Sequence, residues 1–115
     1  MADATSVVIS LEATKVASGG SLRGSFMVTS RGPVSRLELS VLWLTSGRGH
    51  RDEQVILFRD VTAEASSPGS VPFEVRIPLS PTTYAGECLS IQWLVRVTDG
   101  ATAVWDAPFE VLPGG

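Results

Sequence analysis

Apolar residues recur at every second position through most of the chain, while the 3.6-residue spacing of an amphipathic helix is hard to find. A first strand is predicted over Val7 to Ala13, with Val7, Ile9 and Leu11 on one face. Ala17 to Gly20 supplies turn residues. A second strand then sets Leu22, Gly24, Phe26 and Val28 against Arg23, Ser25 and Thr29, and Arg31 to Pro33 closes it. In the third, Leu37, Leu39, Val41 and Trp43 oppose Arg36, Glu38 and Ser40. From Leu42 to Leu44 both faces are apolar, so a loop, a terminus or another chain is expected to cover the outer one.

Gly47 to Gln54 reads as a polar hairpin loop, with a strand from Val55 to Ala65 and a turn over Ser66 to Ser70. Val71, Phe73, Val75 and Ile77 alternate with Glu74 and Arg76. Pro72 and Pro78 bracket that run, and proline donates no ladder hydrogen bond, which marks an edge strand or one that ends sharply. Leu79 to Glu87 is a connection, followed by the longest inward stripe: Leu89, Ile91, Trp93, Val95 and Val97. Asp99 to Ala101 signals a hairpin turn, and a last strand from Thr102 to Leu112 is expected to be interrupted near Pro108.

About seven strands with turns at roughly 8–12-residue spacing predict an all-β, immunoglobulin-like antiparallel sandwich. Each strand has one apolar stripe, and two sheets must face each other to keep those stripes from water. The 115 residues suit one domain, residues 1–115, with its core at about 7–112.

Composition narrows the partners. Hydrophobic residues are 43% and charged residues 18%, and the mean hydropathy is +0.22, more apolar than an average soluble domain. A surface packed on a partner and strands buried on nearly every inner face would both produce that surplus. The net charge of −3, with nine Lys and Arg in all, argues against nucleic acid, which needs a basic face to displace counterions. A single Cys forms no internal disulfide, and the first residues lack a basic segment followed by an apolar run. No run reaches the ~18 apolar residues of a membrane helix, so stable membrane insertion is not expected. A cytoplasmic protein is the simplest expectation.

The order Gly20, Leu22 and Gly24 on an early strand, then Pro78, Pro81, Thr83, Tyr84 and Gly86 ahead of a long alternating strand, resembles half of an arrestin-type protein. Similar patterns occur in α-arrestins, the retromer small subunit and bacterial sporulation-control proteins. The resemblance covers about Val7 to Val97. It implies an arrestin-like sandwich serving as a protein-interaction scaffold without catalysis, here in a single-sandwich version. Arrestins carry two such sandwiches, and no phosphate-sensing cluster aligns, so phosphoreceptor recognition is not implied.

Candidate chemistry is sparse. Cys88 and His50 would make a nucleophile and base only with a third orienting group, which the sequence does not supply. One Cys and one His make no zinc site without carboxylates, and no cofactor motif is present. The chain is therefore expected not to be an enzyme and to hold neither metal nor cofactor. Tyr84 is expected to close a corner of the sandwich, ring buried and hydroxyl bonded to backbone. Trp43 and Trp93 fall on inward stripes and belong to the core, whereas Trp105 is expected to be partly exposed. Leu42, Leu44, Arg48, His50, Arg51 and Trp105 are the candidate contacts for a protein partner or for self-association. The alternative is a carbohydrate-binding module that uses Trp105 with His50 or nearby Arg residues. Other small-molecule ligands are not expected.

Overall fold

The computed structural model describes residues 5–30, 36–65, 69–86, 88–100 and 103–114. The strands are β1 (Thr5–Leu11), β2 (Lys15–Ala17), β3 (Ser21–Ser30), β4 (Glu38–Gly47), β5 (His50–Asp60), β6 (Ser70–Arg76), β7 (Tyr84–Ala85), β8 (Ser90–Thr98) and β9 (Val104–Leu112). One helical turn, α1 (Thr62–Ala65), follows β5.

Seven of these strands are long, as the alternation predicts, and β2 and β7 are additions of three and two residues. The smaller sheet has the order β1-β3-β6, and the larger runs β2-β9-β8-β4-β5 with β7 also pairing β8. All pairings are antiparallel except β2 with β9, which is parallel. The fold is an all-β sandwich of two sheets.

The inner faces meet in one apolar layer. Val7, Leu22, Phe26, Phe73 and Val75 come from the smaller sheet, and Leu39, Val41, Trp93, Val95, Phe109 and Val111 from the larger. Trp93 is fully buried at its centre, and its indole Nε1 donates to the Pro81 carbonyl at 3.1 Å. Its ring centroid lies 5.0 Å from that of Trp43 and 5.8 Å from that of Phe109, in tilted pairs. Gly24 sits where β1, β3 and β6 press together: a Cβ there would lie 2.6 Å from the Ser10 carbonyl oxygen and 2.8 Å from Phe73.

Several local expectations are corrected. The polar segment Gly47–Gln54 is not a loop: only Arg48 and Gly49 leave the ladder, and His50 to Gln54 pair with β4. Both turn residues have positive φ, 50° and 80°, the two-residue geometry that matches the twist of the flanking strands. The strand from Val55 ends at Asp60, because the Asp60 carboxylate accepts from the Thr62 N–H at 2.9 Å and starts α1. β9 runs unbroken through Pro108; β2 flanks it only from Glu110 to Leu112, so no second ladder at Pro108 demands its missing N–H.

Leu89 precedes β8 and is exposed, so the inward stripe begins at Ile91. Tyr84 is also exposed and closes no corner. Thr83 does the tethering instead: its N–H donates to the Val111 carbonyl at 2.9 Å and its Oγ1 accepts from the Val111 N–H at 2.8 Å. With Thr83 turned inward, the next side chain faces out. The turn expected over Arg31 to Pro33 lies outside the described residues. So do Ser66 to Pro68, Glu87, Ala101 and Thr102.

Candidate functional site

Register turns the outer face of the larger sheet into rows that cross its strands. Val55, Leu42, Leu94 and Pro108 lie side by side on β5, β4, β8 and β9, an apolar row spanning four strands. The adjacent row holds Phe58, Ser40, Arg96 and Asp106, and the one beyond it Asp60, Glu38, Thr98 and Val104.

Burial divides these rows. Leu42, Leu44 and Leu94 form a buried cluster of their own, although they point away from the main core. Among the described residues, a pair of neighbouring side chains crosses this cluster. Arg96 on β8 is opposite Ser40, and Glu53 on β5 is opposite Leu44. Arg96 Nη1 donates to Glu53 Oε1 at 3.3 Å, so this contact passes over β4 at the level of Leu42. Arg96 also forks onto Asp106, with Nε to Oδ1 at 2.9 Å and Nη2 to Oδ2 at 3.3 Å. The hydrogen bond to Asp106 pushes the guanidinium above its ordinary value, against burial. Its stem covers apolar surface while its head stays charged.

The ends of the rows stay open. Val55 is 45% exposed, Phe58 58% and Val104 52%. Val55 and Phe58 belong to β5, on whose far side no strand pairs among the described residues, so apolar side chains and an open backbone edge lie together along one border. At the end of the sheet beside Gly100, Arg36 Nε donates to the nearly buried Glu38 carboxylate at 2.9 Å, with Nη2 on the same oxygen.

The sequence candidates fall in three places. Leu42 and Leu44 are buried within this chain, so contact with a partner requires displacing Arg96 and Glu53. Arg48, His50 and Arg51 are exposed at the β4–β5 turn, and Arg51 begins the open border. Trp105 is half-buried and packed on the core opposite Val97, whose β4 neighbour is Leu39. It therefore lies at the other end of the sheet from His50, which pairs with Gly47. Val55, Phe58 and Val104 are not among the candidates read from the sequence.

Cys88 is exposed and close to Gly47, whose Cβ, if present, would lie 2.3 Å from the Cys88 carbonyl oxygen. Cys88 and His50 thus flank one residue, Gly47. No three His, Cys, Asp or Glu side chains among the described residues group closely enough to hold a metal ion. An open depression of about 640 Å³ on the smaller sheet is lined by Gly24, Phe73, Arg59 and Glu12, with Arg23 and Glu74 joined across it at 2.9 Å. No helix among the described residues is long and apolar enough to cross a membrane.

No family model and no curated protein sequence matches the chain. Solved structures do. The sporulation control protein Spo0M of Bacillus subtilis superposes with a TM-score of 0.58 at 15% identity, over 97% of this chain and 50% of that one. The Listeria innocua β-glucosidase, as its D270A mutant with laminaribiose, gives 0.59 at 14% identity over 97% of this chain but 16% of the enzyme. The chain thus spans half the length of Spo0M and a small part of the β-glucosidase. These likenesses establish the arrestin-like sandwich fold.

Proposed function

We propose that this chain is a non-enzymatic interaction domain that docks a protein partner on the outer face of the larger sheet, along its β5 border. The observation that carries the reading is the pairing of an unpartnered strand edge with exposed Val55 and Phe58 on that strand. Backbone groups of such an edge give affinity to an incoming segment, and flanking apolar side chains give it a place to bury. The arrestin-like fold of Spo0M, a sporulation control protein, fits a regulatory role of this kind. The carbohydrate alternative draws nothing from Trp105, whose ring is packed on the core at the opposite end from His50.

The test is retention of proteins from native lysate on the immobilised chain, with two variants beside the wild type. Phe58→Glu places a charge on the β5 border. Met27→Glu places one on the exposed face of the smaller sheet, where Met27 pairs with Val8. The reading expects bands that the Met27 variant keeps and the Phe58 variant loses. Bands lost with Met27 alone, or none above a blank resin, would overturn it.

A further inference from the structure

The charges along β5 read as their own complement when the strand is reversed. From Arg51 the strand runs Arg51, Asp52, Glu53, Gln54, Val55, Ile56, Leu57, Phe58, Arg59, Asp60. Laid antiparallel on a second copy with Val55 opposite Ile56, it sets Arg51 against Asp60 and Asp52 against Arg59. By twofold symmetry each pair occurs twice. Glu53 then faces Phe58, and Gln54 faces Leu57.

Charge order alone would not suffice, because opposed residues must also share a face of the sheet. On a regular strand, residues 51 and 60 point to opposite faces. The bulge removes that conflict: Leu42 pairs with Val55 and Val41 with Leu57, which leaves Ile56 without a partner on β4. Arg51, Glu53 and Val55 therefore lie beside Ser46, Leu44 and Leu42, while Phe58 and Asp60 lie beside Ser40 and Glu38. All of these β4 residues have even numbers and point outward. Asp52, Gln54, Leu57 and Arg59 lie beside odd-numbered β4 residues and share the other face. The backbone N–H and C=O directions alternate in step with the faces, so the same bulge matches the hydrogen-bonding class of each pair.

Other registers fail. A one-step slip opposes Arg51 to Arg59, or Asp52 to Asp60, on mismatched faces. A two-step slip keeps the faces but opposes Arg51 to Phe58, or Glu53 to Asp60. Charged residues on an edge ordinarily repel an incoming strand. Here they favour a strand with the reversed charge order over one with like charges opposite.

We propose that β5 pairs with β5 of a second copy of this chain, antiparallel about a twofold axis, joining the two larger sheets and their outer faces into one surface. The proposal deepens the reading of β5 as a docking border and rests on it.

Two exposed substitutions test it by sedimentation over a concentration series, with circular dichroism confirming the fold. In the homodimer of Asp52→Arg, the new guanidinium opposes Arg59 of the other copy. In that of Arg59→Asp, the new carboxylate opposes Asp52. Mixed together, the two variants place opposite charges at both symmetric sites: arginine against aspartate where the substituted side chains meet, and Arg59 against Asp52 where the unsubstituted ones meet. Wild type is expected to dimerise, each variant alone to do so about tenfold more weakly or worse, and the mixture to recover the wild-type constant. A wild type that is monomeric to about 1 mM overturns the proposal, as do variants that dimerise as well as wild type. A monomeric wild type that still loses a lysate partner on Phe58→Glu overturns self-pairing alone and leaves the broader reading standing. A dimer that follows the charge swaps supports self-pairing even where no other protein is retained.

Discussion

The Arg96 guanidinium and the Glu53 carboxylate stand 3.3 Å apart on strands that flank opposite sides of β4. Their contact explains how Leu42, at 1% exposure, is buried on the outer face of a sheet over which the described residues form no third layer. An apolar row that reads as an interface is thereby partly closed by its own chain.

Arg96→Ala removes both that cover and the fork onto Asp106. Stability is expected to fall by about 1–2 kcal/mol in urea unfolding, and binding of a hydrophobic dye to the folded protein to rise. Glu53→Gln, which loses one exposed ion pair, should cost only about 0.5 kcal/mol. Equal losses for the two variants, or no rise in dye binding for Arg96→Ala, would show that Arg96 does not shield Leu42 and Leu94.

Gly24 makes a second case, because its neighbours are backbone as well as side chain. A Cβ at this position would lie 2.6 Å from the Ser10 carbonyl oxygen, which moves only if β1 moves. Gly24→Ala should therefore destabilise by about 1–3 kcal/mol despite the strand preference against glycine. The unfolding midpoint in urea measures it, and an unchanged or higher midpoint would mean that β1 has room to yield.

Asp60 gives the fold a pH dependence with a defined sign. Hydrogen bonds from Thr62 hold its carboxyl below the usual carboxylate value. A depressed folded pKa contributes stability that is complete above the unfolded value, about 3.9, and is lost as pH falls through the folded value. Asp60→Ala is expected to be less stable than wild type by the same margin at pH ~7 and ~5.5, with the margin shrinking below pH ~4. A margin that stayed constant to about pH 2 would assign the loss to packing rather than to the ionised cap.

The long strands were legible because a buried face imposes period two, and Leu37, Leu39 and Val41, like Trp93, Val95 and Val97, keep it without a break. β2 and β7 were not legible, since strands of three and two residues are too short to show a period. The candidate surface was hidden for another reason. Val55, Ile56, Leu57 and Phe58 are four consecutive apolar residues, and such a run does not reveal which side chains turn inward. The bulge at Ile56 decides it, and a bulge is a property of two strands in register. The same limit applies to Arg96, whose partners Glu53 and Asp106 become neighbours only through the pairing of β5, β4, β8 and β9. Tyr84 was assigned the inward role that its neighbour Thr83 fills.

The β4–β5 turn combines a misfit residue with a fitting one. Arg48 has a φ of 50° and Gly49 of 80°, so both stand in the left-handed region. For a side chain with a Cβ that region costs roughly 1–2 kcal/mol, which Gly49 escapes and Arg48 does not. Asparagine tolerates the conformation better, and Asn-Gly is a preferred pair for this turn. Arg48→Asn should therefore raise stability by about 0.5–1 kcal/mol. Gly49→Ala should lower it by about 1 kcal/mol, even though a Cβ there would meet nothing within 4 Å. Because that space is empty, a loss at Gly49 reports backbone strain alone, without a steric clash. Opposite shifts of the melting temperature for the two variants would confirm a two-residue left-handed turn. Shifts of the same sign would mean that His50 to Gln54 do not pair with β4 as described, and the β5 border would lose its first half.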